Sequence, residues 1–409
     1  MSDTGMRAVS AAGFAVLLLL SWALSSDRRH VPWRVLFWGV AIQLALGALL
    51  LLTPVGTVFF AAMDGLVDGL SRVTEVGVRF VFGALADAGF SFAVHVLPII
   101  VVMGSLFAVL YHLGVMQRLV DWIGIVLART LGTSGAESLS AVANVLLGMV
   151  ESALVVKPYL ERMTRSELFC VMTVGMAGAA GSVLVAYAAM LGPGYAGHLA
   201  TASLLSTPAG ILVAKIMVPE RERPVTTGGG HAQIERLAIN VFDAAAQGAA
   251  EGMRLAAYVG AMLVAFVALI ELVNSGLGAI GAPLGIEGLS LQRVFGVLFA
   301  PFAFLMGIPW SDAVRVGGLL GIKTVLNEFI AYQQLAALSQ QGALAPRSVA
   351  ITSYALCGFA NFGSLAILLG GLGGLVPSRR EEVARFGLRS IASGTLASFM
   401  TACVAGMLL

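Results

Sequence analysis

Charge is scarce in this sequence. Lys, Arg, Asp and Glu together make up 11% of its 409 residues, where a soluble domain carries roughly 25%. A water-soluble globular fold is therefore excluded. The formal net charge is only +2, which leaves no basic surface for a nucleic-acid partner. Cysteine is sparse as well. Cys170, Cys357 and Cys403 stand far apart in apolar stretches, which excludes zinc or redox spacing and leaves buried free thiols. The aromatic share, 8%, gives no stacking platform. A phosphate loop is also missing, because Gly228-Gly229-Gly230 is followed by no Gly-Lys-Ser/Thr and reads as a flexible linker. What is abundant is apolar: 58% of the residues are hydrophobic.

That apolar content is arranged in long runs. A span needs about 20 apolar residues, and eight segments supply it, near 8–26, 34–55, 92–112, 167–191, 198–218, 254–274, 347–375 and 384–408. The expected class is an all-α membrane protein with eight transmembrane helices. The first run, with Arg7 ahead of it and small residues at its end, resembles a signal peptide. The cluster Arg28, Arg29, His30 and Arg34 outweighs Arg7, so a retained first span with its N-terminus outside is expected.

Two further apolar segments are too short to cross, and they match one another. The first, 134–163, carries Glu151 at its centre and is followed by a break at Gly178-Ala179-Ala180-Gly181-Ser182. The second, 311–337, carries Asn327-Glu328 and is followed by a break at Asn361-Phe362-Gly363-Ser364. Arms such as 138–148 and 314–326 meeting at a polar tip predict re-entrant hairpins, which lipid tolerates only where protein or water surrounds the tip. A carboxylate at membrane depth is costly and marks function. Two in corresponding positions point to a transporter with its site at a repeat interface.

Local signals place the boundaries. Ser134-x-x-Glu137, Thr164-x-x-Glu167 and Ser378-x-x-Glu381 predict capping boxes, and Pro309-Trp310-Ser311 the start of the second hairpin. Amphipathic stretches at 115–131 and 289–305 predict surface helices ahead of each hairpin. Arg28, Arg29, Arg162, Arg165, Arg221, Arg223, Arg236, Arg254, Arg379 and Arg380 fall on one side, which is cytoplasmic by the positive-inside rule. Arg72 and Arg79 are exceptions. The hairpins then enter from opposite sides, as inverted repeats do.

At each tip the second arm begins, and its free N–H groups and positive dipole end favour a carboxylate. Glu151 and Glu328, with the exposed backbone of the two breaks, make a polar cage suited to a neutral polar solute and a small cation. Other polar residues have plainer readings. Lys157 and Lys323 pair with carboxylates or snorkel, Asp87 and Glu271 are span-end residues, and His95 and His112 are packed or interfacial. A membrane-embedded hydrolase needs a paired catalytic set, and a channel needs a continuous polar stripe or filter. Neither pattern is visible.

These residues in this order resemble the concentrative nucleoside transporters, roughly from Leu113 onward. The resemblance is carried by Leu131-Gly132-Thr133-Ser134, Gly148-x-x-Glu151, Lys157-Pro158-Tyr159-Leu160, Asn240-Val241-x-Asp243, Gly248-x-x-Glu251-Gly252, Asn327-Glu328-Phe329-x-Ala331-Tyr332 and Gly358-Phe359-Ala360-Asn361-Phe362. It implies eight spans, two hairpins, and a homotrimer in the inner membrane importing nucleosides with sodium or protons and no other cofactor. It divides the chain into scaffold spans 1–112, a first transport repeat 113–218, a linker with the sixth span 219–286, and a second repeat 287–409. It also assigns Glu328, Asn361 and Ser364 to the ribose. The first tip (Met149, Val150, Glu151) and Val183 would hold the base. Sodium would take Asn144, the Leu147 carbonyl, Gly178 and Ala179. Two departures stand out. The family's Gly-Gln-Ser/Thr-Glu tip is Gly148-Met149-Val150-Glu151 here, and its Ser/Thr-Ile cation pair is Gly178-Ala179. The first leaves open a different small polar solute; the second leaves sodium or proton open.

Overall fold

The computed structural model describes residues 3–87, 91–227, 238–286 and 288–409. The linker glycines 228–230 and Arg236 lie outside them. The described chain is helical: α1 (Asp3–Ala23), α2 (Trp33–Leu52), α3 (Pro54–Phe82), α4 (Phe92–His95), α5 (Leu97–His112), α6 (Val115–Leu131), α7 (Gly135–Leu146), α8 (Met149–Val155), α9 (Lys157–Leu160), α10 (Arg165–Ala177), α11 (Gly181–Leu191), α12 (Tyr195–Met217), α13 (Val241–Gly281), α14 (Leu291–Leu305), α15 (Trp310–Val325), α16 (Glu328–Gln340), α17 (Pro346–Leu356), α18 (Phe362–Leu375) and α19 (Arg380–Leu408).

Seven helical segments among the described residues are long and apolar enough to cross a membrane. The eighth expected span, 347–375, is present as α17 and α18 with a break between them. Three expectations change. Residues between the second and third spans form α3, a 29-residue helix whose Asp64, Asp68, Arg72, Glu75 and Arg79 hid it from a hydropathy criterion. The sixth span is α13, with 41 residues, about 60 Å long. Its N-terminus is set by Asn240, whose side chain accepts from Asp243 N, and Glu271 lies inside it rather than at a span end. Ser378 starts no capping box: Pro377–Arg379 make a 3-10 turn, and Ser378 Oγ donates instead to Glu161 Oε1 at 3.4 Å.

The hairpins are α7–α8 and α15–α16. In the first, Ser134 caps Glu137 N and Glu137 Oε1 accepts from Ser134 N at 2.7 Å. Thr164 and Glu167 repeat that box at α10. The turn between α7 and α8 needs Gly148, which sits at φ 116°. Helix α8 of the second arm ends at Val155, because Pro158 has no N–H to continue it. In the second hairpin Asn327 caps α16 through Ile330 N at 3.0 Å. Helices α14 and α15 bend 118° against one another, packed so closely that Gly317 admits no Cβ against the Gly296 carbonyl.

The bases of the two hairpins lie at opposite ends of the molecule. At one end Gly135 N donates to Thr226 O, Arg379 donates to the Leu160 and Met163 carbonyls, and Ser26 N donates to Met217 O. At the other, Ser10 Oγ donates to Met306 O, Arg347 to Gly406 O, and Asp312 Oδ2 accepts from Ser348 Oγ at 2.6 Å and Ala345 N at 3.1 Å. Helix α1 connects the two ends, its Gly13 pressed against the Leu305 backbone. The two hairpins are thus inverted, as the charges predict.

Both broken spans meet at the centre. Ser398 of α19 reaches the carbonyls of Ala177 at 3.3 Å and Cys357 at 3.5 Å, the last helical residue of α10 and the first residue after α17. Gly358 makes the crossing possible: it has φ 155°, and a Cβ there would lie 2.5 Å from Ala177 O. The second break spans residues 357–361, slightly earlier than the sequence predicts. Asn361 is the N-cap of α18, and Phe362 to Ser364 already form its first turn.

Candidate functional site

The second tip is a closed polar cluster. Glu328, in the first turn of α16, is 3% exposed. Its Oε1 accepts from Tyr187 Oη at 2.8 Å and its Oε2 from Asn361 Nδ2 at 2.8 Å. Asn361 spends its other end on the helix, accepting from Ser364 N at 2.7 Å. Glu328, Asn361 and Ser364 are thus brought together by two helix N-termini that converge on one point, and dipole and hydrogen bonds both favour a carboxylate there. Tyr187 stacks on Tyr332 at 4.3 Å and meets Phe329 edge-on at 4.8 Å, so its hydroxyl is held in place by aromatic walls.

Tyr187 was missed by the sequence reading. The signal was a tyrosine inside the apolar run after the first break, four positions after Val183 and so on the same helix face. Lys323 also differs from expectation. It is 1% exposed, and its Nζ donates to Ala355 O at 2.8 Å rather than to a carboxylate or to solvent. Its counterpart in the first hairpin is Asn144: each stands three residues before its helix's C-cap, Leu147 or Leu326, and Asn144 reaches the other broken span, donating to Val174 O at 3.0 Å.

The first tip is arranged differently. Glu151 is exposed and faces a 1070 Å³ cavity between α5, α13 and the first hairpin. Leu147, Ser182, His112, Lys157 and Glu251 also line it. Of the seven residues expected around a solute, only Glu151 lies on this cavity. Met149 and Val183 are buried, at 8% and 3%. Met149 packs against Gly175, and Val150 fills the space over Gly371 of α18, where a Cβ would come within 2.7 Å. Met149 and Val150, the departure at this tip, are therefore packing residues between α10 and α18 in this conformation. Lys157 is exposed at the cavity mouth, and His112 Nδ1 is buried without a partner. His95 bonds Ser91 O at 3.0 Å, and Asp87 pairs with Arg79 at 3.1 Å.

Three of the expected cation ligands, Asn144, Gly178 and Ala179, lie together beneath the first tip, and the fourth, Leu147, lines the cavity. Asn144 is 1% exposed and its Oδ1 has no hydrogen-bond partner. Gly178 N donates to Val174 O at 3.2 Å, the same carbonyl that Asn144 Nδ2 uses, and Ala179 is buried beside them. An orphaned amide oxygen next to unwound backbone is suited to a small hard cation.

Two inverted hairpins, two crossing broken spans and a buried carboxylate at a helix N-terminus define a secondary transporter of the membrane. Comparison with known proteins narrows this. The profile described as "Na+ dependent nucleoside transporter C-terminus" matches residues 198–406, its N-terminal companion 12–85, and "Nucleoside recognition" 93–194. The matched region is wider than the sequence resemblance, which started near Leu113. The chain is 43% identical to the nucleoside permease NupC of Helicobacter pylori over 97% of each protein. It is 39% identical to sodium/nucleoside cotransporter 1 of Rattus norvegicus, over 99% of this chain and 65% of that protein. The structure of CNTnw in an inward-facing substrate-bound state superposes with a TM-score of 0.92 at 43% identity, covering 98% of both chains. A double variant of CNTnw in an outward-facing state gives 0.93 at 41% identity. The chain belongs to the Na+ dependent nucleoside transporter family; it is a transporter and not an enzyme.

Proposed function

We propose that the protein imports nucleosides across the inner membrane together with sodium, by alternating access. The observation that carries the reading is Glu328, buried at a helix N-terminus and held by Tyr187 and Asn361. A carboxylate and an amide so placed match the vicinal hydroxyls of a ribose, which offer donors to Glu328 and acceptors to Asn361. Ser364 adds a hydroxyl from the same turn. The base would lie toward the first tip, against Met149, Val150, Glu151 and Val183. Sodium rather than a proton is supported by the free Oδ1 of Asn144 and by the family itself; Asn144, Leu147, Gly178 and Ala179 would hold it. When bound, the ion supplies positive charge beside the first tip.

We propose a division of labour between the segments. Residues 113–218 and 287–409 are the two transport repeats, led by α6 and α14 at the surface. Residues 1–112 and 219–286 supply scaffold spans, with α5 and α13 interlocked at Gly104, Gly248 and Gly252, where no Cβ fits. A homotrimer is the assembly we expect, and light scattering of the purified protein checks it. The substrate reading is tested by titrating nucleosides, free bases and ribose against purified protein. Ribonucleosides should bind and their 2′- and 3′-deoxy forms should bind less well. Binding of none of them would remove nucleosides as the substrate class.

A further inference from the structure

The space over Gly178, where the family's cation pair carries a hydroxyl, is occupied. A Cβ built on Gly178 would lie 2.8 Å from Asn144 Nδ2 and 2.9 Å from Ser206 Oγ, closer than real Cβ atoms approach their neighbours. Ser206 belongs to α12, a different element from the break, and is 1% exposed. Its only proton goes to Ser203 O at 2.7 Å, which leaves the hydroxyl oxygen free to act as an acceptor or ligand. Buried Asn144, which borders this space through its Nδ2, carries an Oδ1 with no partner, and the unwound backbone at Gly178 and Ala179 lies beside it. Two hydroxyl side chains, one at 178 and one at 206, could not both fit without displacement.

We infer that Ser206 supplies the hydroxyl oxygen that Gly178 lacks, so that the cation site is completed from α12 instead of from the broken span. Gly178 and Ser206 are then a matched pair: the glycine makes room and the serine fills it. The ligand class is a small monovalent cation held by neutral oxygens. The inference rests on the sodium reading above, and the experiment separates the two.

The full-length protein in detergent is heated across a NaCl series, with choline chloride keeping ionic strength constant and no nucleoside present. The readout is the sodium concentration giving half of the maximal rise in Tm. The wild type should be stabilised by sodium and not by choline. Ser206→Ala should raise the half-maximal concentration about tenfold or more, in the range seen when metal-site support is removed. Ser206→Cys keeps the volume but offers a soft sulfur, so it should behave the same way; it serves as the measurement if the alanine variant does not fold. Gly178→Ser alone should also weaken the response, because its side chain meets Ser206. Gly178→Ser combined with Ser206→Ala relieves the contact with Ser206 but not the one with Asn144 Nδ2, so it should recover part of it. Wild-type sodium dependence in both Ser206 variants overturns the inference and leaves the sodium reading standing. A wild type indifferent to sodium overturns both.

Discussion

Glu328 is the residue on which the account turns, and its neighbours make it testable. Glu328→Gln keeps size and removes charge, so it should abolish uptake while the protein still reaches the membrane; wild-type uptake would contradict the role given to it. Tyr187→Phe removes one hydrogen bond to a charged group, worth about 1.5–3 kcal/mol. Nucleoside affinity should fall roughly tenfold or more with the fold intact, as read by competition binding. At the first tip, Met149→Gln with Val150→Thr restores hydrogen-bonding groups where apolar ones now pack against Gly175 and Gly371. Such groups reject mismatched ligands far better than apolar walls do, so competition among bases should sharpen. Unchanged discrimination would mean these side chains stay turned toward the helices and away from the solute. Much of this cluster was legible in the sequence because Glu328 and Asn361 interrupt apolar runs, where polar side chains are conspicuous. Tyr187 was not, since a tyrosine scores as apolar until its hydroxyl is seen to have a partner. Lys323 was read as an ion-pair or snorkelling residue because sequence gives its charge but not the nearby carbonyl of Ala355 that it binds.

Among the elements, those with a local start signal are the most legible in the sequence. Ser134, Thr164 and Pro309 each begin a helix where the sequence places it. Ser378 caps no helix because the tight turn Pro377–Arg379 moves the helix start past it, to Arg380. Helix α3 was invisible to hydropathy because its charged face breaks the apolar run. Packing between elements also sets two stability expectations. Lys215, 3% exposed, pairs with Glu137 at 2.7 Å, and Glu137 is 1% exposed. Lys215→Met leaves that carboxylate buried with its capping bond to Ser134 but no charge partner at the base of the first hairpin, which should cost about 3–5 kcal/mol. Thermal unfolding in detergent would register the loss, and an unchanged Tm would show that the pair contributes nothing. Gly358→Ala puts a methyl group 2.5 Å from Ala177 O at a positive φ. The strain of such a backbone is about 1–3 kcal/mol, so reduced Tm is expected even where the protein still inserts.

For the whole molecule, the inverted relation between repeats carries the function. Each repeat sends a hairpin to the centre from its own end and crosses its broken span with the other at Ser398. The repeats are not equal. One ends in a sealed cluster around Glu328, the other in Glu151 on an open cavity, and the Asn144 position of the first is Lys323 in the second. A site at such an interface can face either end as one repeat moves against the other. Sequence showed the duplication and the opposite orientation through paired acidic tips and arginine placement. It could not show which tip was closed, because closure depends on side chains brought together from α11, α16 and α18. The most direct test is uptake of a radiolabelled nucleoside into proteoliposomes holding the wild-type protein or Glu328→Gln, with an inward sodium gradient, an inward proton gradient, or neither. Accumulation above the external concentration is expected in the wild type under the sodium gradient, and none in the variant. Equal uptake with no gradient, or accumulation driven by protons alone, would contradict that expectation.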